Sequence, residues 1–549
     1  MGEPNSTPPT VLRVRDLTIA FGRGERQTEV VQHLDLDVRA GELVALLGES
    51  GSGKTVTARA IMGIQDEAAR VTAAEMTLEG TSLPGLSSQQ LRRLRGDRMS
   101  MVMQDALSAL NPVLTIADQV GEVFRVHRSM TRQQIRTRSV ELLDLVGIAH
   151  PAARIDDYPH QFSGGMRQRI LIAMAIALEP ALLIADEPST ALDVTVQAQI
   201  LRLLHDLRGR LDMGVLLITH DIGVVTEVAD RLVVMRNGRV MEAGDADRVF
   251  AAPRDPYTRE LLASAPQPEP ARERDAAIAP VLQVAEVSRT FRVGPVLARR
   301  AVEAVAGVSL RLDKAETLGI VGESGSGKST LARMIVGLER CDAGSVSYRG
   351  EDVTWRTGSG RPGARAGLQM VFQDPYTSLD PRMRVLDVVA EPLAITGTGT
   401  AASRKERVAH LLDLIGMSPD LMYRYPHQFS GGQRQRIGIA RALMRDPDVL
   451  VCDEPVSALD VTIQAQVVDL LVELQERLEI SILFISHDLS VVRNLAHRVL
   501  VMQHGQQVEV GDTEQIFNDP QQDYTKRLLA SIPPLTRAER GHITGVTAA

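Results

Sequence analysis

The stretches GESGSGKT, residues 48–55, and GESGSGKS, residues 322–329, carry the residue types that grip a phosphate chain. Gly48, Gly51 and Gly53, like Gly322, Gly325 and Gly327, let backbone N–H groups close on phosphate oxygens, with Ser50, Ser52, Ser324 and Ser326 between them. Lys54 and Lys328 bring a compact charge to β- and γ-phosphates, and Thr55 and Ser329, the latter followed by Thr330, offer a hydroxyl to Mg²⁺. Only five of the 61 basic residues are lysines, and two of those five stand in these loops, where a planar guanidinium would fit less well.

Such a loop needs an apolar strand before it and a helix after it. ELVALLG and TARAIMG supply them in the first half, TLGIVG and TLARMIVG in the second. ALLIADEP and DVLVCDEP read as buried parallel strands ending in two acids, at the strand end where ligands are met. Successive strand residues face opposite ways, so Asp186 and Asp453 are expected on Mg²⁺, while Glu187 and Glu454 polarise an attacking water. GVLLIT and SILFIS lead to His220 and His487, each 34 residues beyond the first acid of its half. Together these are the parts of an ATP-hydrolysing enzyme. In HQFSGGMRQR from His160 and HQFSGGQRQR from His427, a Ser-Gly-Gly opens a helix and makes another anion-binding N-terminus. A domain that already has a phosphate loop does not need it for its own nucleotide, so it is offered to a neighbour.

The whole pattern occurs twice. Lys54 and Lys328 lie 274 residues apart, while the HQFSGG and DEP segments of the two halves lie 267 apart, so the few lost residues fall between them. At 549 residues the chain is too long for one core and divides into two domains of roughly 250 residues. We expect a tail over 1–9, a domain over 10–264, a Pro- and charge-rich linker over 265–280 and a second domain over 281–549. Such a linker reaches roughly 50 Å when extended, enough for the halves to meet face to face.

FSGGM and FSGGQ are the point at which the chain resembles the ABC-type ATPases rather than a general phosphate-loop protein. The resemblance covers nearly the whole chain and implies an α/β fold. Each of two tandem nucleotide-binding domains would have a RecA-like core, a helical subdomain and a small antiparallel β subdomain. It implies ATP and Mg²⁺ as ligands and a head-to-tail pairing of the domains within the chain. One composite site would join Lys54 to Ser430, Gly431, Gly432 and Gln433, and the other Lys328 to Ser163, Gly164 and Gly165. It further implies Q-loop residues Gln104 and Gln373 at the metal, D-loop residues Asp193 and Asp460 beside the nucleotide, and Phe21 and Phe291 against the adenine. Met166 stands where the second half has Gln433, and a thioether cannot donate the hydrogen bond an amide can, so the Lys328 site is expected to differ modestly yet still to hydrolyse ATP.

Within that family the halves resemble the two ATPase subunits of dipeptide and oligopeptide permeases, fused. QDALSALNP with the tail DPYTRELLASAPQ matches one, and QDPYTSLDPRM with DYTKRLLASIP matches the other, although Asp255 and Gln522 stand where that group often has histidine. The resemblance implies two membrane permease subunits as partners and, through them, a substrate-binding protein. Residues near Ala106–Pro112 and Pro375–Pro381 would form part of the groove that receives the permeases.

Composition agrees. The start MGEPNSTPPT lacks the regions of a signal peptide, and the longest apolar run, residues 170–178, is about half of a membrane span. The chain is therefore expected to be cytoplasmic and soluble in its own right, and the resemblance implies that it is held peripherally on the cytoplasmic side of the membrane. With 61 basic against 69 acidic residues and a net charge of −8, no nucleic-acid surface is expected. Cys341 and Cys452 alone build neither a disulfide framework nor a four-thiolate cluster. The alternative is a soluble tandem-ABC translation factor acting on ribosomes, which would carry a long, highly charged helical linker. A DNA-repair or chromosome-structuring ATPase would carry a coiled-coil or zinc-module insertion.

Overall fold

The computed structural model describes residues 8–22, 27–103, 109–188, 193–264, 280–293, 300–356, 365–374, 378–457 and 459–532. They form two compact units, one on each side of the 265–279 segment. In both, continuous apolar runs become strands buried on both faces, and alternating runs become a second, half-buried sheet.

In the first unit, Leu43–Leu47, Gly214–Thr219 and Leu182–Asp186 are buried along their whole length. They are central to a six-stranded sheet ordered Arg239–Asp245, Arg231–Arg236, Leu43–Leu47, Gly214–Thr219, Leu182–Asp186, Met99–Val102. All neighbours are parallel except the Arg231–Arg236 and Arg239–Asp245 hairpin. Burial on both faces requires such uninterrupted Val, Ile and Leu. A separate antiparallel sheet pairs Thr10–Phe21 with Thr28–Arg39, Ala69–Thr72 and Glu75–Leu78, the last pairing on to Thr81–Ser82. Helices Ile116–His127, Arg132–Leu145 and Gly164–Ile176 make a helical region with Phe124, Leu142 and Ile170 in its interior. Thr115 and Thr131 cap the first two, accepting from the N–H groups of Asp118 and Gln134.

The second unit repeats this plan. Its six-stranded sheet runs Leu368–Val371, Val449–Asp453, Ser481–Ile485, Thr317–Val321, Arg498–Gln503, Gln506–Asp512. Its antiparallel sheet joins Arg300–Asp313, Pro280–Val293, Ala343–Tyr348 and Glu351–Asp352. Val385–Ile395, Ala401–Leu414 and Gly431–Leu443 form its helical region. The strand beginning at Pro280 takes up the residue the sequence places last in the linker, since proline is tolerated at a strand's first position. Each unit is thus an α/β core with a helical region and a small antiparallel sheet. Among the described residues no helix is long and apolar enough to cross a membrane.

Candidate nucleotide sites

Each phosphate loop joins the central strand of its sheet to a helix, Lys54–Met62 or Lys328–Val336. Gly53 and Gly327 cap these helices at φ 103° and 100°, a conformation glycine adopts freely. A Cβ there would lie 2.8 Å from Val30 O and 2.2 Å from Ala304 O. Each loop also has a support absent from the sequence reading. The turn of the final hairpin donates from Gly238 N to Ser52 O at 3.1 Å, and from Gly505 N to Ser326 O at 3.0 Å.

The lysines are buried within their loops. Lys54 Nζ donates to Gly48 O at 2.6 Å and Glu49 O at 2.8 Å, and Lys328 Nζ donates to Gly322 O at 2.8 Å and Glu323 O at 2.9 Å. Next along each helix, Thr55 Oγ1 donates to Asp186 Oδ1 at 3.1 Å and Ser329 Oγ to Asp453 Oδ1 at 2.8 Å. Burial raises the pKa of both aspartates, the hydroxyl bonds lower it, and the neighbouring Glu187 or Glu454 raises it again, for a net rise. A buried carboxylate beside a hydroxyl is the hard oxygen donor set that suits Mg²⁺. Among the described residues there is no group of three or more His, Cys, Asp or Glu that could hold a metal ion by itself.

Glu187 and Glu454 are presented differently from these aspartates, for a reason other than strand alternation. Both strands end at the aspartate, and the glutamates turn into the left-handed region at φ 47° and 46°. Their N–H groups donate to Ile218 O at 2.8 Å and Ile485 O at 2.9 Å, which holds the turn. Glu187 Oε1 lies 2.9 Å from His220 Nδ1, and Glu454 Oε2 lies 3.4 Å from His487 Nδ1. Burial pushes each imidazole's pKa down, but the bond to its glutamate and the charges of that glutamate and of Asp221 or Asp488 outweigh burial and raise it above 6.5. Gln373 Nε2 donates to Glu454 Oε2 at 2.8 Å, so the second unit brings three of its predicted residues together. Gln104 lies outside the described residues.

Ser163 and Ser430 cap the signature helices, accepting from Met166 N and Gln433 N, both at 3.4 Å. Gln433 also accepts from Ser430 N at 3.2 Å and completes a capping box. Met166 cannot, and its sulfur instead faces Arg154, whose Nη1 donates to Sδ at 3.5 Å and whose guanidinium lies 4.1 Å from the Phe162 ring centre. Asp193 and Asp460 cap the next helices, Val194–Leu211 and Val461–Leu478, accepting from Val196 N at 2.9 Å and Ile463 N at 3.0 Å. The side chains of Val196 and Ile463 fill the space beside Gly165 and Gly432, where a Cβ would come within 2.3 and 2.2 Å. The sequence reading missed both residues.

Phe21 ends the Thr10–Phe21 strand, partly buried against the core. Phe291 lies under the guanidinium of Arg289, 4.8 Å from the ring centre. Asp255 caps the tail helix Pro256–Ala263, accepting from Tyr257 N at 2.9 Å and Thr258 N at 3.2 Å. Gln522 takes the same position before Asp523–Leu529 without a side-chain cap bond.

The ABC transporter family model matches residues 31–190 and 305–457, and the model for the oligopeptide/dipeptide transporter C-terminal region matches 241–291 and 508–548. The chain is 46% identical to the peptidoglycan transport ATP-binding protein YejF of Agrobacterium fabrum, over 97% of each chain. It is 42% identical to the glutathione import ATP-binding protein GsiA of Escherichia coli K12, over 95% of this chain and 89% of that one. Among solved structures, cbiO1 from Clostridium perfringens, part of the ABC transporter complex cbiONQ, aligns at 25% identity with a TM-score of 0.40, over 49% of this chain and 99% of that one. Two phosphate loops, two signature segments and two transporter-type tails along one chain thus have a common explanation: the protein belongs to the ABC transporter family, as a tandem ATP-binding protein of its oligopeptide/dipeptide type.

Proposed function

We propose that this protein is the ATP-hydrolysing motor of an importer, driving di- or oligopeptides through separate membrane permease subunits that receive them from a substrate-binding protein. The observation that carries the hydrolysis is the pairing of Glu187 with His220 and of Glu454 with His487, each beside a buried lysine and a hydroxyl–carboxylate pair. In each unit the glutamate orients and polarises the attacking water, and the histidine holds the glutamate. Thr55 and Asp186, with Gln104, and Ser329 and Asp453, with Gln373, would hold Mg²⁺, which offsets charge on the β- and γ-phosphates.

The two units pair head to tail in this reading. Ser430, Gly431, Gly432 and Gln433 complete the Lys54 site, Ser163, Gly164 and Gly165 complete the Lys328 site, and Asp193 and Asp460 lie beside them. ATP closes the units and hydrolysis releases them, so the chain performs a cycle of work. That motion passes to the permeases near Ala106–Pro112 and Pro375–Pro381, beside the exposed Val113. The protein would sit peripherally on the cytoplasmic face of the membrane. The transporter C-terminal regions and the transport ATP-binding proteins it resembles support a peptide cargo. The ribosomal alternative has no support among them.

The test is ATP turnover by the assembled transporter. Glu187→Gln and Glu454→Gln are each expected to lower it at least tenfold, since each removes one water-polarising carboxylate from a cycle in which both sites fire. Unchanged turnover in Glu454→Gln would contradict hydrolysis at the Lys328 site.

A further inference from the structure

We propose that Tyr524, in the C-terminal tail of the second unit, is a positioning residue for the Lys328 phosphate loop. Its hydroxyl accepts a hydrogen bond from the backbone N–H of Glu323 at 3.2 Å. That N–H belongs to the peptide unit joining Gly322 to Glu323. The carbonyl of the same unit, Gly322 O, accepts from Lys328 Nζ at 2.8 Å. Tyrosine and lysine therefore hold opposite edges of one planar peptide. The plane cannot rotate its carbonyl away from the ammonium without losing the tyrosine bond. An N–H engaged as a donor also polarises its own C=O into a stronger acceptor.

The hydroxyl is delivered from a fixed support. Tyr524 is 6% exposed, and Thr525 and Leu528 of the same Asp523–Leu529 helix are buried with it. The segment before this helix is tied to the final hairpin, where the Glu509 carboxylate accepts from Gln521 N at 2.8 Å and Gln522 N at 3.2 Å. The turn of the same hairpin holds the far end of the loop through Gly505 N and Ser326 O. Hairpin and tail thus grip the loop at two points, and tail docking becomes part of how the lysine is seated. In the first unit the corresponding Tyr257 is also buried but lies under the guanidinium of Arg236, 4.4 Å from the ring centre. The second unit has Gln503 in place of Arg236, so that position offers Tyr524 no cation.

This inference rests on the reading of Lys328 as a nucleotide-binding lysine, and the test keeps the two apart. The full-length chain with Lys54→Ala, so that binding reports the second site, is titrated with a fluorescent ATP analogue and Mg²⁺ for affinity and stoichiometry. Tyr524→Phe on this background keeps the ring and its packing and deletes the hydroxyl. The expected result is a Kd raised about three- to tenfold, the worth of one hydrogen bond, at unchanged stoichiometry and thermal midpoint. A purely structural role would instead lower stoichiometry or midpoint and leave Kd where it was. An unchanged Kd overturns the proposal. Lys328→Ala on the same background decides what else falls. If it abolishes binding, the site reading stands and the failure belongs to Tyr524 alone; if binding persists, site and proposal fall together.

Discussion

A methyl group is too large for the second glycine of either signature segment. The Cβ of an alanine at 165 would come within 2.3 Å of Val196, and at 432 within 2.2 Å of Ile463. Both neighbours are β-branched and stand in helices capped by Asp193 and Asp460, so neither yields freely. Gly165→Ala should therefore destabilise the first unit by about 1–3 kcal/mol through overpacking, and Val196→Ala in the same chain should recover most of the loss, as measured by urea unfolding. Recovery would mean that this glycine serves packing inside its own unit as well as any ligand. The lysine, aspartate, glutamate and histidine of each candidate site could be named from the sequence because each stands in a glycine-rich loop or at the end of an apolar run. Val196 was not, because nothing in an apolar helical residue announces which glycine, 31 positions earlier, it will touch.

At the scale of elements, the sequence shows the buried strands plainly and their supports poorly. ALLIADEP and GVLLIT can only be buried strands of a parallel sheet. Ser-Gly-Gly marks a helix start because its serine caps the turn that follows. The hairpin turns that brace the phosphate loops carry a signal that went unread. Asn237 and Gly238, like His504 and Gly505, take positive φ in two-residue turns, a conformation Asn-Gly favours. The tail is tied to that hairpin by Glu509. Burial pushes its carboxyl pKa up, but the hydrogen bonds it accepts, those from Gln521 and Gln522 among them, bring it below the ordinary 4.5. A group depressed on folding contributes stability above its unfolded pKa and loses it as pH falls through the folded one. The second unit should therefore lose stability as pH drops below about 4.5, and Glu509→Gln should be less stable at neutral pH and lose less on acidification. Urea midpoints of the two proteins between about pH 7 and pH 4 check this, and parallel curves would exclude the Glu509 tie as the cause.

Over the whole molecule, repetition was the most legible feature. Two loops, two signatures and a shared spacing from each signature to its acids and histidine announce two domains, and the structure shows two units whose six-stranded sheets have the same strand order. The sequence shows less well how the copies differ. Arg236 over Tyr257 and Tyr524 beside the second phosphate loop are contacts between separate segments that only a folded chain brings together. The central claim, a motor that drives separate membrane subunits, is tested most directly by tagging the full-length chain and purifying it from cells in mild detergent with Mg·ATP. The account predicts that two polytopic permease proteins accompany it, and that a substrate-binding protein accompanies them. Ribosomal proteins in their place would contradict it.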